Sequence, residues 1–497
     1  VAIGKDAMLA NTTSSGSVAV GNYSLKSQST GYSNVAIGYE AAEETTTGNS
    51  NTAIGHQALI ANTTGSANVA VGANALDANT TASSNTAVGQ NALTANTTGD
   101  SNTSVGGNSL DANTTGDNNT AVGRHALGAN TTGAANVAVG KDALLANTTA
   151  NNNTALGYNA LSANTTGANN TAVGQGALVT NSTGSNNVAV GDDALRLNTG
   201  SYNTAVGTDC LDDNTASNNT GVGYRALYQN TTGTLLASVG TYSLTANTTG
   251  IRNTAIGYES MSANTTGSHN TAVGTYALAT PTTGNESTAV GYYACKSATT
   301  GMRNVGVGVS ALTNATTGSS NVAVGGFAGK TLTTGSDNTV VGYDALITAT
   351  TASNNTAIGR EALKVSTASS NVAIGFKALT ANTTGTGNLA VGTNALDANT
   401  TGANNHAIGY DAMGATTTGT DNVAFGYEAL KVNTTGASNV ALGHKALRDN
   451  TADHNTAVGR VVLYQNTTGT RNTGVGAFAF QYNTTGSYNV ALGYAAL

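Results

Sequence analysis

The chain has 497 residues, of which 63 are Gly and one is Pro, and only 9% are charged. Glycine without a three-residue period or abundant proline excludes a collagen, and the scarcity of charge and proline argues against a disordered chain. No run of about 18 apolar residues is present to span a membrane. A net charge of −7 provides no basic surface for nucleic acid. We therefore expect neither nucleic-acid binding nor membrane insertion of this segment.

One short repeat accounts for the whole chain. An Asn recurs at a regular interval, as at Asn51, Asn68 and Asn85, and we number each repeat from this Asn as column 0. Counted from the position before Val1, twenty-five steps are 17-residue repeats and four are 16-residue repeats. The consensus is N-[TV]-A-V-G-x-x-A-L-x-A-N-T-T-G-x-x. Column 4 is Gly in all thirty copies and column 2 is Ala in 24, so each copy meets the same geometric constraint.

A period of 17 is too short for a pair of helices but suits two short strands joined by turns. Columns 1–3 and 6–10 carry the apolar residues, while column 4 and the N-T-T-G segment of columns 11–14 carry turn residues. Such a coil buries its apolar side only by stacking on identical coils. The sequence predicts an all-β, parallel β-solenoid (a β-roll) of about 30 coils with two short strands each, continuous over residues 1–497.

The turn columns have distinct predicted roles. An all-Gly column 4 indicates positive φ or close backbone approach. The four 16-residue repeats lose their residue in the N-T-T-G segment, which predicts an exposed outer turn. Column-0 Asn side chains are expected to form a buried amide ladder. Five representative column-4 turn glycines are Gly55, Gly72, Gly89, Gly106 and Gly123.

Columns 2 and 3 are both apolar, and so are columns 7 and 8. Because neighbouring strand residues point to opposite faces, both faces of each strand should be covered. We expect the Ala-lined face to meet another chain, which predicts self-association as a homotrimer or filament. The alternative is that Ala lines a surface that is merely poor in charge.

The N-T-T turns are formal N-glycosylation acceptors. Their structural interpretation is a Thr and Asn ladder that closes each turn, and sugar attachment is the alternative. The representative acceptor residues are Asn62, Asn96, Asn164, Asn247 and Asn399.

No pattern in the sequence indicates catalysis, a cofactor or a metal. The six histidines lie mostly on distant coils, so we expect no enzyme. Cys210 and Cys295 replace core residues and are predicted to be separate buried thiols. One acidic cluster is expected to be a solvated patch, with a Ca²⁺ site as the alternative. Its members are Asp192, Asp193, Asp209, Asp212 and Asp213.

Tyr recurs at columns 5 and 6 and could stack on sugars, but its scattered distribution favours simple exposed packing. The residues are Tyr39, Tyr158, Tyr224, Tyr258, Tyr292, Tyr293, Tyr343, Tyr410, Tyr427 and Tyr494. Adjacent threonines such as Thr12 and Thr13 should point to opposite sides, which leaves ice binding a remote alternative.

The segments Asn34-Val35-Ala36-Ile37-Gly38 and Asn371-Val372-Ala373-Ile374-Gly375 carry a family resemblance. The chain resembles the head repeats of trimeric autotransporter adhesins, in a longer 17-residue form similar to surface and tail fibres of bacteria and their viruses. The resemblance extends over every coil. It implies a left-handed β-roll, three packed chains, and an extracellular location on a cell or virion surface.

These patterns favour a structural extracellular fibre or stalk with an adhesive role. The alternative is an adhesin or tail-fibre module that recognises surface carbohydrate or a host receptor. A contiguous aromatic or charged patch at columns 5, 6, 9, 15 and 16 would favour the binding module; the sequence indicates none. Since both ends fall within a repeat and neither carries a cap, we expect the chain to be an excerpt of a longer fibre.

Overall fold

A computed structural model describes all residues, 1–497. It contains no helix, and therefore none that could cross a membrane. The contacts divide the chain into two compact units, Val1–Thr249 and Gly250–Leu497. Each unit is a parallel β-solenoid with fifteen short strands, one for each repeat. The predicted all-β parallel solenoid is confirmed, and its continuity as one domain stays a prediction.

The strands occupy columns 1–3 of the repeats. In the first unit they are β1 (Ala2–Ile3), β2 (Val18–Val20), β3 (Val35–Ile37), β4 (Thr52–Ile54), β5 (Val69–Val71), β6 (Thr86–Val88), β7 (Thr103–Val105), β8 (Thr120–Val122), β9 (Val137–Val139), β10 (Thr154–Leu156), β11 (Thr171–Val173), β12 (Val188–Val190), β13 (Thr204–Val206), β14 (Thr220–Val222) and β15 (Ala237–Val239). In the second they are β16 (Thr254–Ile256), β17 (Thr271–Val273), β18 (Thr288–Val290), β19 (Val305–Val307), β20 (Val322–Val324), β21 (Thr339–Val341), β22 (Thr356–Ile358), β23 (Val372–Ile374), β24 (Leu389–Val391), β25 (His406–Ile408), β26 (Val423–Phe425), β27 (Val440–Leu442), β28 (Thr456–Val458), β29 (Thr473–Val475) and β30 (Val490–Leu492).

The register keeps each column in line with itself. Ala53 of β4 pairs with Ala70 of β5, which holds the same column of the next repeat. Across a 16-residue repeat, Val188 still pairs with Thr204. The missing residue is absorbed in the N-T-T-G turn, where the Asn198 amide bonds the carbonyl two residues on instead of three. Deletions are tolerated there, as the sequence predicts.

The prediction of a second strand at columns 6–10 is wrong, because each repeat has a single strand at columns 1–3. Residues in columns 6 and 8 adopt a left-handed backbone conformation, with φ of +55° at Gln57 and +57° at Leu59. The segment still stacks on the next coil, because the Leu59 N–H donates to the Ala75 carbonyl at 2.9 Å. An extended strand would point one of two neighbouring residues outward. The left-handed residues at columns 6 and 8 instead allow both Ala58 and Leu59 to be completely buried.

The core of each coil is narrow and consists of Ala from columns 2 and 7 and Leu from column 8. Where Gly replaces Ala at column 2, a side chain that departs from the consensus at column 7 or 8 lies beside it. A Cβ on Gly221, in column 2, would lie 2.6 Å from the Cys210 Sγ, and one on Gly306 would lie 2.5 Å from the Cys295 Sγ. A Cβ on Gly474 would lie 2.6 Å from Val462 Cγ1. Cys210 and Val462 are larger than the Ala usual in column 7 and take the space that the missing methyl leaves. Cys295 replaces a column-8 Leu, and its sulfur lies in the corresponding space.

Gly221→Ala should destabilise the first unit by about 2 kcal/mol, because the new methyl overlaps the Cys210 sulfur in a close-packed core. Adding Cys210→Ala restores the consensus pair of alanines and should recover most of the loss. Urea unfolding of the two single variants and the double variant, followed by circular dichroism, measures the coupling. Additive losses would contradict the matched packing.

Candidate functional site

The outward side of the strands forms a nearly uncharged surface in each unit, with apolar residues throughout column 3 and Val or Thr at most positions of column 1. Column 2 points inward, so columns 1 and 3 point out. Their residues are half-exposed: 37% for Val137, 48% for Leu156 and 43% for Ile256. Among all residues of columns 1 and 3, only His406 can carry a charge. We call columns 1 and 3 the sheet face. A regular surface without charge that carries an unbroken row of exposed apolar residues is typical of an interaction site.

The sheet face replaces the Ala-lined face inferred from the sequence. Column-2 alanines such as Ala53 and Ala70 have no exposed surface, and neither do column-7 alanines such as Ala58. They cannot meet another chain, because they are completely buried inside their own coils. The side chains available to a partner are the Val, Ile and Thr of columns 1 and 3.

Two ladders of buried Asn hold the coils together. At column 0, the Asn34 Oδ1 accepts the Asn51 backbone N–H at 2.8 Å. At column 11, the Asn62 Oδ1 accepts the Asn79 side-chain N–H at 2.9 Å. Both Asn51 and Asn62 also donate to the Gly65 carbonyl, at 2.9 and 3.0 Å. The predicted column-0 ladder is present, and column 11 forms a second one.

The predicted glycosylation residues belong to the second ladder. All five have no exposed surface: Asn62, Asn96, Asn164, Asn247 and Asn399. In Asn164, for example, the side-chain nitrogen donates to Asn147 Oδ1 and to the Gly167 carbonyl, both at 2.9 Å. The folded coil has no room for a sugar on these nitrogens. The geometry supports the structural interpretation of the N-T-T turn.

The threonines of the same turn differ in role. The Thr63 hydroxyl, in column 12, donates to the Thr80 carbonyl of the next coil at 3.0 Å, whereas Thr64 in column 13 is exposed. The two neighbours therefore point to different sides, as predicted, and do not form a flat Thr surface.

The turn glycines have both features that the sequence predicts. φ is between +135° and +142° at Gly55, Gly72, Gly89, Gly106 and Gly123. A Cβ on Gly55 would lie 2.4 Å from the carbonyl oxygen of Gly72 in the next coil. Column 4 therefore combines a positive φ with close approach of the next backbone, and it admits no side chain.

Aromatic residues at columns 5 and 6 form contiguous contacts, contrary to the scattered arrangement inferred from the sequence. Tyr410 stacks on Tyr427 with ring centroids 5.4 Å apart, and Tyr427 stacks on His444 at 5.2 Å. Tyr276 stacks on Tyr293 at 5.2 Å. Each pair joins successive coils, because stacking places equal columns side by side. We call columns 5 and 6 of Gly250–Leu497 the aromatic edge.

Charged residues border the stack of Tyr410 and Tyr427. Glu428, only 8% exposed, accepts hydrogen bonds from Lys431 at 3.0 Å and Arg448 at 3.2 Å. Burial alone would raise the pKa of Glu428, but these bonds outweigh it and hold the pKa below its ordinary value. The sequence analysis missed this cluster. Its signal was opposite charge at columns 6 and 9 of adjacent coils.

The acidic cluster is partly buried rather than wholly solvated. Asp212 is 2% exposed and accepts two hydrogen bonds from Arg196, at 2.7 and 2.8 Å. Asp209 accepts one from Arg225 at 3.0 Å. Burial and the neighbouring Asp192 raise the pKa of Asp193. The two arginines thus balance the repulsion between the Asp carboxylates, as a bound Ca²⁺ would.

Arg196→Met should cost about 2–3 kcal/mol, because it leaves the buried Asp212 carboxylate unpaired. The loss stays below the full buried-pair value since Arg196 itself is partly exposed. Arg303→Met is the matched control: its partner Glu286 is more than half exposed, so we expect less than about 1 kcal/mol. Thermal unfolding of both variants tests this. Equal losses would show that burial of Asp212 contributes nothing.

Both cysteines are buried and free, as predicted. Burial raises the pKa of the Cys210 and Cys295 thiols to about 12, which keeps them protonated and unreactive near neutral pH. The histidines serve local contacts: His125 Nδ1 lies 3.2 Å from Asp142, and His56 stacks on Tyr39.

Neither protein-family models nor curated proteins provide a match to this chain. Its chemistry is therefore read from the repeat, whose two accessible features are the sheet face and the aromatic edge.

Proposed function

We propose that the chain is a structural element of an extracellular fibre, in which copies pack side by side through the sheet face. The observation that carries this proposal is the sheet face itself. It repeats in every coil, has the same spacing in every copy, and lacks charge apart from His406. When two such surfaces pack face to face, the β-branched side chains of columns 1 and 3 are buried against each other. The backbone hydrogen bonds between the coils of each chain stay intact. Three copies are the number that the family resemblance implies.

The internal structure suits a mechanical role in a fibre. Within each unit, backbone hydrogen bonds and two Asn ladders join consecutive coils, for example from Asn119 to Asn102 at 2.9 Å. Stability in a stack of this kind accumulates from nearest-neighbour contacts. In a stack of near-identical coils, the number of repeats sets the length of the stack, and no specialised site is needed. The extracellular location rests on the resemblance, and protease treatment of intact cells or particles tests it.

The assembly is tested by the mass of the purified chain in sedimentation equilibrium. We expect a mass that is a multiple of 48.9 kDa. Val137→Lys with Val188→Lys places two charges on the sheet face and should give monomers, since both residues are 37% exposed there. Thr132→Lys with Thr183→Lys adds the same charge at the exposed column 13 and should leave the mass unchanged. A monomeric wild-type chain would refute the proposed assembly.

A second function, binding of surface carbohydrate, is favoured by a separate observation. The variable columns 5 and 6 do form contiguous aromatic contacts, which is the feature that distinguishes a binding module from a plain spacer. Tyr410 and Tyr427 are 48% and 44% exposed, although an inert fibre gains nothing from exposed rings.

A further inference from the structure

Aromatic residues are unevenly distributed between the two units. All five Phe residues lie in Gly250–Leu497. At columns 5 and 6, the first unit has five Tyr and Phe residues and the second has eleven. Those of the first unit are Tyr23, Tyr39, Tyr158, Tyr224 and Tyr242. Those of the second are Tyr258, Tyr276, Tyr292, Tyr293, Phe327, Tyr343, Phe376, Tyr410, Tyr427, Phe478 and Tyr494. A pure spacer has no use for such a difference, because the repeat is otherwise the same.

The rings of the aromatic edge are connected and accessible. The Tyr258 ring meets Tyr276 edge-on at 5.5 Å, Tyr276 stacks on Tyr293, and Tyr293 lies 3.9 Å from Tyr292. Tyr258 is 41% exposed and Tyr292 is 46% exposed. A hydrogen bond with Glu259 and burial help raise the pKa of Tyr258 to about 12, so its hydroxyl stays neutral.

Apolar side chains continue the edge beyond these tyrosines. Val309, Tyr343 and Phe376 are 49%, 51% and 41% exposed at column 5 of later coils. Val309 and Phe376 have no polar side-chain atom, so they extend the apolar part of the aromatic edge. The rings and the apolar residues together occupy column 5 or column 6 of most coils of this unit.

Charges of both signs lie along the aromatic edge and nearly balance, with five Asp or Glu and four Lys or Arg at columns 5 and 6. Lys431 contacts Asp411 at 2.6 Å and Glu428 at 3.0 Å. Lys296 lies over the Tyr293 ring at 4.3 Å from its centroid. A strongly charged ligand would therefore find no marked excess of the opposite charge along these two columns. A neutral ligand with apolar patches and hydroxyl groups fits this surface.

We infer that the aromatic edge of Gly250–Leu497 binds a neutral linear polysaccharide laid along the coils. Sugar rings have an apolar C–H side that packs on aromatic rings, and their hydroxyls can bond the phenol groups of the tyrosines. A pyranose unit is about as long as the spacing of stacked strands, so each coil meets one sugar. The inference rests on the second proposed function and names its site and ligand.

The test uses the full chain and β-1,4-linked hexasaccharides of glucose and of N-acetylglucosamine as probes. The chain has no Trp, so tyrosine fluorescence reports binding directly. The variant carries Tyr292→Thr, Tyr410→Thr and Tyr427→Thr. Thr occupies the same column naturally at Thr208 and Thr393, so the fold should tolerate the change. Calorimetry with the same probes gives the affinities.

We expect the variant to bind at least about tenfold more weakly than the wild-type chain. The matched control replaces Tyr39, Tyr158 and Tyr224, which share column 5 in the first unit, by Thr and should bind within about twofold of wild type. Equal binding by wild type and variant would overturn the assigned site while leaving carbohydrate binding intact. If the wild-type chain bound neither probe, both the assigned site and the proposed carbohydrate binding would be refuted. Binding of only a sulfated hexasaccharide would overturn the neutral ligand.

Discussion

Replacing Gly89 with Ala should cost the first unit roughly 3–5 kcal/mol and open the coils around it. Gly89 has φ of +137°, which side-chain-bearing residues rarely adopt. A Cβ there would lie 2.6 Å from the carbonyl oxygen of Gly106 in the next coil. That atom belongs to the backbone and cannot rotate away. Denaturant unfolding by circular dichroism gives the loss, and hydrogen exchange of nearby amides shows where the coils open.

Gly107→Ala is the matched control for Gly89→Ala. Gly107 lies outside the left-handed region, and a Cβ there would have the Gln90 carbonyl oxygen as its nearest neighbour, at 3.9 Å. Ala73 occupies the same column without difficulty. We expect a change within about 0.5 kcal/mol. A tolerated Gly89→Ala would mean that adjacent coils can separate at column 4, and the close-approach argument would fail.

The repeat arithmetic predicted the solenoid and its register because an exact period leaves one way to stack identical coils. The column-4 glycines and the core leucines follow directly from it. The second strand could not be predicted in this way. Leu59 adopts a left-handed conformation that Leu alone does not favour, and it does so because burial of both Ala58 and Leu59 outweighs the local cost.

The candidate sites were predictable only in part. Alternation in a strand shows that Ala53 and Ile54 face opposite ways, but it does not say which faces in. The narrow interior decides this, because only small residues fit between the strand and the Leu column. The aromatic contacts were missed because Tyr410 and Tyr427 are a full repeat apart in sequence. Both belong to column 5, and a comparison of that column between consecutive coils would have placed them side by side.

Asn119→Asp should destabilise the first unit by roughly 3–5 kcal/mol at neutral pH and much less in acid. The Asn119 nitrogen donates to the Gly133 carbonyl at 2.9 Å and to Asn102 Oδ1 at 3.2 Å, and the residue has no exposed surface. An aspartate would place a buried carboxylate oxygen against these two acceptors. Both burial and the facing oxygens favour the protonated acid, so the folded-state pKa of the new carboxyl should lie above its unfolded value.

The sign of the pH dependence follows from that pKa shift. Below an unfolded pKa of about 4, the carboxyl is protonated in both states and there is no penalty from charge. As pH rises towards the folded pKa, the unfolded chain releases its proton first, so the free energy of unfolding falls. Asn118→Asp is the control, because Asn118 is exposed and Asp337 occupies its column with a similar φ of +59°. Denaturant unfolding of both variants from pH 3 to pH 8 should show a steep loss for Asn119→Asp alone. A flat profile for that variant would mean that water reaches the column-0 ladder and that its amides are not the dry, obligatory link between coils.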